Sequence, residues 1–159
     1  MMGNDGLGKK AEKKLRVWLD KPEDGFSFER LPDQLSGFYG SKNKCDFIVF
    51  KSPYMIYLES KSTWEDRFDF SMISDYQYES LLDRSKIENV FGYIAILFAT
   101  YQRCFLIDVN EISELKAKGN KSINIKKIDK WDFKYSEIPT VSSKKKLLDY
   151  TGDIIDLIT

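Results

Sequence analysis

The stretch CDFIVFKSPYMIYLESK, residues 45–61, contains the strongest strand signals in this sequence. Its two halves, residues 45–50 and 55–61, are rich in β-branched and aromatic side chains, which favour strands. Between them lie residues 51–54, whose Ser-Pro pair is typical of a turn. The stretch therefore predicts an antiparallel hairpin, with the side chains of each strand alternating between the two faces of a sheet.

The turn also predicts the register of this hairpin. If the turn centres on Ser52 and Pro53, Asp46 falls directly opposite Glu59, and such partners have Cβ atoms about 4.5–5.5 Å apart. Strand alternation then places Lys61 on the same face as Glu59. A slip of one residue would move Glu59 to the other face, so the convergence of these side chains depends on the register.

The Asp46–Glu59 pair favours a metal site. Two carboxylates about 5 Å apart repel by roughly 3 kcal/mol at an effective dielectric near 20, and a divalent cation removes that repulsion. Ser60, which follows Glu59, points its side chain toward the opposite face, but its backbone carbonyl stays at the edge and is a candidate neutral ligand. The alternative is an ion-pair network of Asp46, Lys61 and Glu59 on an exposed face. The opposite face of the hairpin carries Val49, Ile56 and Leu58, and we expect that face to meet the core.

Composition limits the chemistry. The 159 residues contain no histidine, which excludes Ser-His-Asp and Cys-His nucleophilic systems and histidine-ligated zinc. A site with oxygen ligands alone favours Mg²⁺, or Mn²⁺. Cys45 and Cys104 are too few for a disulfide framework, and Cys45 has no histidine to activate it as a nucleophile. No apolar run is long enough to span a bilayer and no secretory signal is evident, so we expect a cytoplasmic protein without a membrane contact.

The rest of the chain predicts one α/β domain over residues 1–159. Helical spacing or capping residues indicate helices over residues 9–19, 74–84, 111–118 and 143–150, with Asn110 as the cap of the third. Apolar or alternating runs indicate strands over residues 26–31, 90–99 and 103–109, and residues 32–43 read as a loop. The order α-β-β-β-α-β-β-α predicts a mixed central sheet flanked by helices. We place the core at about 8–128 and a helical extension at about 140–159.

Two further polar residues have two interpretations each. Glu12 is the only acid of the first helix and borders its apolar stripe. In one interpretation Glu12 forms an i,i+4 ion pair with Arg16. In the other it is a third acidic side chain directed toward the metal. Gln77 lies three residues after Ser74, which predicts a capping box, and the alternative is an active-site amide.

Basic residues are unevenly distributed although the net charge is zero. Lys9, Lys13 and Arg16 crowd the first helix, and Tyr39, Lys42 and Lys44 precede Asp46. All six are candidates to contact a nucleic-acid backbone. The alternatives are a solvated helix face and an ordinary loop.

The chain also resembles known nucleases. Asp46 followed by Glu59-Ser60-Lys61 resembles the D…ExK core of the restriction-endonuclease-like nucleases. Residues 68–79 resemble the segment that follows this motif in RecU-type Holliday junction resolvases. That resemblance extends over about residues 8–128.

Other segments carry the same resemblance. Residues 91–96 and 104–108 are similar to the next two strands of that family, and residues 8–12 are similar to the first-helix opening of archaeal resolvases. In this chain Cys45 stands where the motif has proline. Residues 35–44 stand where RecU-type enzymes have a long stalk.

The resemblance implies a fold, a reaction and roles for the residues. The fold would be a restriction-endonuclease-like core. The activity would be metal-dependent hydrolysis of DNA, most closely that of a Holliday junction resolvase acting on four-way junctions in recombination and repair. Glu12, Asp46 and Glu59 would be metal ligands, Lys61 would orient or activate the attacking water, and Gln77 would support the site. Resolution needs two matched cuts, so we expect a homodimer.

Two alternatives stay open on the sequence alone. The first is a sequence-nonspecific or restriction-type nuclease of the same fold. The second is a catalytically vestigial module that binds DNA. Metal binding separates the second from the nucleases, and competition between four-way junctions and linear duplex separates the nucleases from each other.

Overall fold

Helices and strands follow one another in nearly the predicted order. The computed structural model describes residues 6–21, 23–32, 43–141 and 148–159. The helices are α1 (Leu7–Leu19), α2 (Asp75–Ser85), α3 (Val109–Ala117) and α4 (Ile154–Ile158). The strands are β1 (Phe26–Arg30), β2 (Phe47–Lys51), β3 (Tyr54–Thr63), β4 (Arg67–Asp69), β5 (Val90–Phe98), β6 (Arg103–Asp108), β7 (Ser122–Asn124), β8 (Ser136–Glu137), β9 (Thr140–Val141) and β10 (Asp149–Tyr150). Single 3₁₀ turns span Phe70–Met72 and Ile128–Lys130.

The central sheet is mixed, as predicted. Its six strands are ordered β1-β2-β3-β5-β6-β8, and β3 and β5 are parallel while every other neighbouring pair is antiparallel. The parallel pair is connected through α2, as expected for a crossover. Two small antiparallel pairs, β4 with β7 and β9 with β10, stand outside this sheet. The α/β class with a helix-flanked mixed sheet is therefore confirmed.

The register of the predicted hairpin is also confirmed. Lys51 pairs with Tyr54, and Phe47 pairs with Leu58 at the other end of the ladder. The strand β2 begins at Phe47 rather than at residue 45, so Asp46 lies immediately before it. The Asp46 N–H still donates to the Leu58 carbonyl at 3.1 Å, which holds Asp46 against β3.

Hydrophobic clusters cover both faces of the sheet, as expected for a sheet flanked by helices. On one face α1 contributes Leu15 and Trp18, which join Phe47 and Leu58. On the other face α2 and α3 contribute residues such as Leu81 and Ile112, which join the inward side chains of β5 and β6. Glu59 is paired with Ile94 of β5, a member of this second cluster.

Helix α2 packs unusually close to β5. A Cβ atom added to Gly92 would lie 2.8 Å from the Leu81 backbone oxygen, so only glycine fits at this position. The helix begins as predicted, because the Ser74 hydroxyl accepts a hydrogen bond from the Gln77 N–H at 3.2 Å. Helix α3 is capped by Asp108 rather than by Asn110, since the Asp108 carboxylate reaches the Asn110 N–H at 2.8 Å.

The C-terminal part of the chain differs from the prediction. Residues 149–150 form β10, which pairs with β9, instead of ending a helix over residues 143–150; residues 142–147 of that predicted helix lie outside the described residues. The helix of the extension is the short α4. The Trp18 indole N–H donates to the Thr151 and Gly152 carbonyls at 3.1 and 2.9 Å, so this extension packs on α1. No described helix is long and apolar enough to cross a membrane.

Candidate active site

Asp46 lies where three strands meet. Its backbone carbonyl accepts a hydrogen bond from the Leu31 N–H at 2.8 Å, and its N–H donates to Leu58. Its carboxylate oxygen Oδ2 accepts a hydrogen bond from the Ser60 N–H at 2.8 Å. The side chain of Asp46 is thereby directed across the open end of the β2–β3 ladder, beside the Glu59-Ser60 segment, as the register predicts.

Glu59 is a buried carboxyl group that lacks a full set of partners. Only 3% of the residue is exposed, and its Oε1 atom has no hydrogen-bond partner among the described residues. Its other oxygen, Oε2, lies 3.2 Å from the Lys61 ammonium nitrogen. Burial raises the pKa of Glu59 to about 8, the charge of Asp46 adds to that rise, and Lys61 opposes it. The sequence predicted the proximity of these three side chains but not the depth at which Glu59 lies.

The donor set fits a hard divalent cation. A buried oxygen without a partner is costly, and a cation beside Glu59 and Asp46 would satisfy it and offset their repulsion. Within the described ranges, no group of three or more Asp, Glu and Cys side chains lies close enough to form a complete metal site. The arrangement therefore offers two carboxylates, with further ligands to come from the backbone, water or a side chain that moves.

Cys45 lies next to this pair and is not a nucleophile. The residue is 1% exposed, and its Sγ–H donates to the Phe47 carbonyl at 3.2 Å. Burial, followed by the nearby charge of Glu59, raises the pKa of the Cys45 thiol to about 12. The thiol stays protonated at neutral pH and packs beside the carboxylates as a small apolar group.

The structure does not bring Glu12 to the carboxylate pair. Its carboxylate pairs with Arg30 of β1, whose Nη2 atom lies 2.6 Å from Glu12 Oε2, instead of forming the predicted i,i+4 pair with Arg16. Sequence reasoning missed Arg30. A signal was present, because Arg30 alternates with Phe26 and Phe28 on the side of β1 that packs toward α1, where a half-buried cation favours an acidic partner.

The predicted DNA-contacting residues fall into two groups. A shallow groove of about 210 Å³ is lined by Lys9, Glu12, Lys13, Arg16 and Arg30. Lys44 is half-buried immediately before Cys45, whereas Tyr39 and Lys42 lie outside the described residues. Gln77 lies in the first turn of α2, where its backbone serves the helix cap, and its role at the site stays a prediction.

Comparisons with known proteins identify the family to which this chain belongs. A search of curated proteins found no match. Among solved structures, the fold is similar to Hjc, a Holliday junction resolvase of Archaeoglobus fulgidus, with 20% identity and a TM-score of 0.46 over 65% of this chain and 78% of that chain. The sequence matches the RecU family, described as recombination protein U, over residues 29–154, which include Asp46, Glu59 and Lys61. The chain belongs to the RecU family of Holliday junction resolvases.

Proposed function

We propose that this chain hydrolyses phosphodiester bonds of four-way DNA junctions with Mg²⁺, or Mn²⁺, held at Asp46 and Glu59. Resolvases of its family depend on divalent metals and act on branched DNA. The observation that carries the proposal is the buried Glu59 oxygen without a partner, placed beside a second carboxylate that is fixed by the backbone. A protein selected for stability alone has no reason to retain this pair.

Three groups would hold the cation directly. They are the carboxylates of Asp46 and Glu59 and the backbone carbonyl of Ser60. In a strand, the N–H and C=O of one residue point toward the same neighbour. Because the Ser60 N–H points to Asp46, the Ser60 carbonyl is directed to the same side, beyond the last β2–β3 pair at Phe47. The family resemblance adds Glu12 to this set. A bound cation would supply Lewis-acid stabilisation of the phosphate and lower the pKa of water.

Lys61 is proposed to position the attacking water. Its ammonium group is fixed by the 3.2 Å contact with Glu59, and only 19% of its side chain is exposed. A held ammonium group at this place would also offset negative charge that develops on the phosphate. Gln77 is proposed to support the site from the start of α2.

The basic groove on α1 is proposed to bind the DNA backbone. Lys9, Lys13 and Arg16 line it, and phosphate contacts of this kind fix orientation without reading sequence. Lys44, with Tyr39 and Lys42, is proposed to contact the DNA close to Asp46. Two symmetric cuts in one junction need two active sites, so the proposed functional unit is a homodimer.

Cleavage of a labelled four-way junction tests the proposal. We expect cleavage with Mg²⁺, none with EDTA, and a loss of at least a hundredfold in Asp46→Asn and Glu59→Gln. The matched control is Glu65→Gln, which removes an exposed carboxylate just beyond β3 and should cleave normally. Cleavage that persists in EDTA or in both site variants contradicts the proposed site. Equal rates on junction and linear duplex support a nuclease without junction preference, and DNA binding without cleavage supports the vestigial module.

A further inference from the structure

The Glu12 side chain of α1 is held by the Arg30 side chain of β1. The Arg30 atoms Nη2 and Nε lie 2.6 and 3.2 Å from the same carboxylate oxygen, Oε2. The third donor group of Arg30, Nη1, bonds to the Leu31 carbonyl at 3.0 Å. The two side chains are only 27% and 25% exposed. The guanidinium is thus fixed to its own strand while it holds the helix carboxylate.

This ion pair is linked to the carboxylate site through the backbone of β1. Arg30 pairs with Phe47 in the β1–β2 ladder, and the next residue, Leu31, donates its N–H to the Asp46 carbonyl. Glu12 is therefore tied to a position one residue from Asp46. The described residues nevertheless contain no cluster of three acids or thiols at metal-binding distance, so Glu12 is kept apart from Asp46 and Glu59.

A guanidinium and a divalent cation compete for one carboxylate. Both are positive, and the Glu12 Oε2 atom accepts two Arg30 N–H groups, so the side chain can turn toward a cation at Asp46 and Glu59 only when those hydrogen bonds break. Lys9, Lys13 and Arg16 line the same groove, so the metal-free chain has other cations near Glu12. Only Arg30 belongs to the strand that bonds to Asp46, which makes it the cation best placed to control where the Glu12 carboxylate lies.

We propose that Arg30 is a positioning residue that holds Glu12 away from the Asp46–Glu59 pair until a divalent cation displaces it. The ion pair lowers the metal affinity of the DNA-free chain, because recruitment of Glu12 requires the pair to open. This inference rests on the proposed function, since it assumes that Asp46 and Glu59 hold the cation.

The test is a Mn²⁺ titration of the metal-free, DNA-free chain, with free Mn²⁺ measured by electron paramagnetic resonance. Arg30→Gln should bind Mn²⁺ about fivefold more tightly than the unmodified chain, which is roughly 1 kcal/mol, the size of a partly exposed ion pair. Glu12→Gln should weaken binding. The double variant Glu12→Gln/Arg30→Gln should equal Glu12→Gln, because the Arg30–Glu12 ion pair is already lost once Glu12 is neutral.

Arg16→Gln is the matched control. It removes the same charge from the same groove without touching β1, and it should leave the Mn²⁺ affinity within about twofold. If Arg30→Gln does not fold, as judged by circular dichroism, Arg30→Lys replaces it. The lysine keeps the charge but loses the fork of donors, so it should tighten binding by a smaller factor.

Three results would overturn the inference. They are an unchanged or weaker affinity in Arg30→Gln, an equal gain in Arg16→Gln, and an unaltered affinity in Glu12→Gln. Failure of the proposed function itself gives a different pattern, because Asp46→Asn and Glu59→Gln would then bind Mn²⁺ as tightly as the unmodified chain.

Discussion

At the scale of single residues, Glu59 carries an energetic conflict. It is a carboxyl group buried among apolar side chains, beside a second carboxylate, with one oxygen that lacks a partner among the described residues. Lys61 offsets only part of this cost, because the pKa of Glu59 remains at about 8. Stability is lowered here, and a residue retained at such a cost is typical of a functional site.

The conflict predicts how stability depends on pH. Below about pH 4.5, Glu59 is protonated in both the folded and the unfolded chain. As the pH rises toward 8, the unfolded chain loses the proton while the folded chain keeps it, so stability falls through that window and the loss is complete above the folded pKa. Without metal, the free energy of unfolding of the unmodified chain should fall relative to Glu59→Gln by roughly 1–4 kcal/mol between pH 5 and pH 8.5.

Urea denaturation in EDTA at several pH values measures that difference. The control is Glu79→Gln, which removes an exposed carboxylate from α2 and should show no comparable trend. A difference between the unmodified chain and Glu59→Gln that stays flat across the window would show that the buried carboxyl group is not the cause.

Lys61 gives a second prediction at this scale. Lys61→Met keeps the length of the side chain and removes the ammonium group that contacts Glu59. Turnover at saturating junction should fall by about 10²-fold or more, the range for groups that stabilise or move charge in the transition state, while the Kd for DNA in Ca²⁺ changes less than threefold. Single-turnover cleavage and a binding isotherm measure the two quantities. Weakened DNA binding with turnover preserved would instead assign Lys61 to affinity.

At the scale of elements, the hairpin was predictable and the ion pair on α1 was not. A short turn between two alternating strands leaves one register that keeps Phe47 and Leu58 buried, so the Asp46–Glu59 proximity follows from local sequence. Glu12 pairs with Arg30 and not with Arg16 because of the way α1 packs on the sheet. The spacing of residues within α1 or β1 does not predict that packing. Short pairs such as β9 with β10 escape prediction because two residues show no alternation.

The close contact between α2 and β5 predicts that a larger residue at position 92 destabilises the fold. Gly92→Ala would place a Cβ atom 2.8 Å from the Leu81 carbonyl oxygen, a backbone atom that moves only with the helix. We expect a loss of about 2–4 kcal/mol, as for overpacking against a rigid neighbour. Because α2 carries Gln77, the rate of cleavage should fall as well.

Gly8→Ala is the matched control for this substitution. Gly8 lies inside α1, and an added Cβ atom there meets nothing within 4 Å. Alanine should stabilise the helix by about 0.5–1 kcal/mol. Chemical denaturation of both variants measures the contrast, and equal effects of the two substitutions would contradict the close approach of α2 to β5.

At the scale of the whole molecule, the site lies where several chain segments converge. The Pro32 carbonyl accepts a hydrogen bond from the Asn43 side chain, so these two described residues lie next to each other. The Leu31 N–H bonds to Asp46 beside this point. Residues 32 and 43, which flank the segment of positions 33–42 in sequence, are therefore close in the chain to the two residues that form this bond.

This position predicts an effect of the segment on substrate choice. Phe38 and Tyr39 belong to the segment, and aromatic side chains stack on unpaired bases such as those at a branch point. Phe38→Ala with Tyr39→Ala should weaken four-way-junction binding by about tenfold or more, while linear-duplex binding, driven by phosphate charge, changes little. Competition assays at one salt concentration measure both. Equal losses on the two substrates would reject a role in branch recognition.

We propose that Asp46 and Glu59 together hold a divalent cation in the active molecule. Anomalous diffraction from crystals grown with Mn²⁺ tests it most directly, because the signal locates the metal independently of any activity. We predict a peak at roughly 2–2.3 Å from a carboxylate oxygen of each residue, absent in Asp46→Asn crystals grown in the same way. A peak at another position, with no metal at the Asp46–Glu59 pair at saturating Mn²⁺, would contradict the proposed metal site.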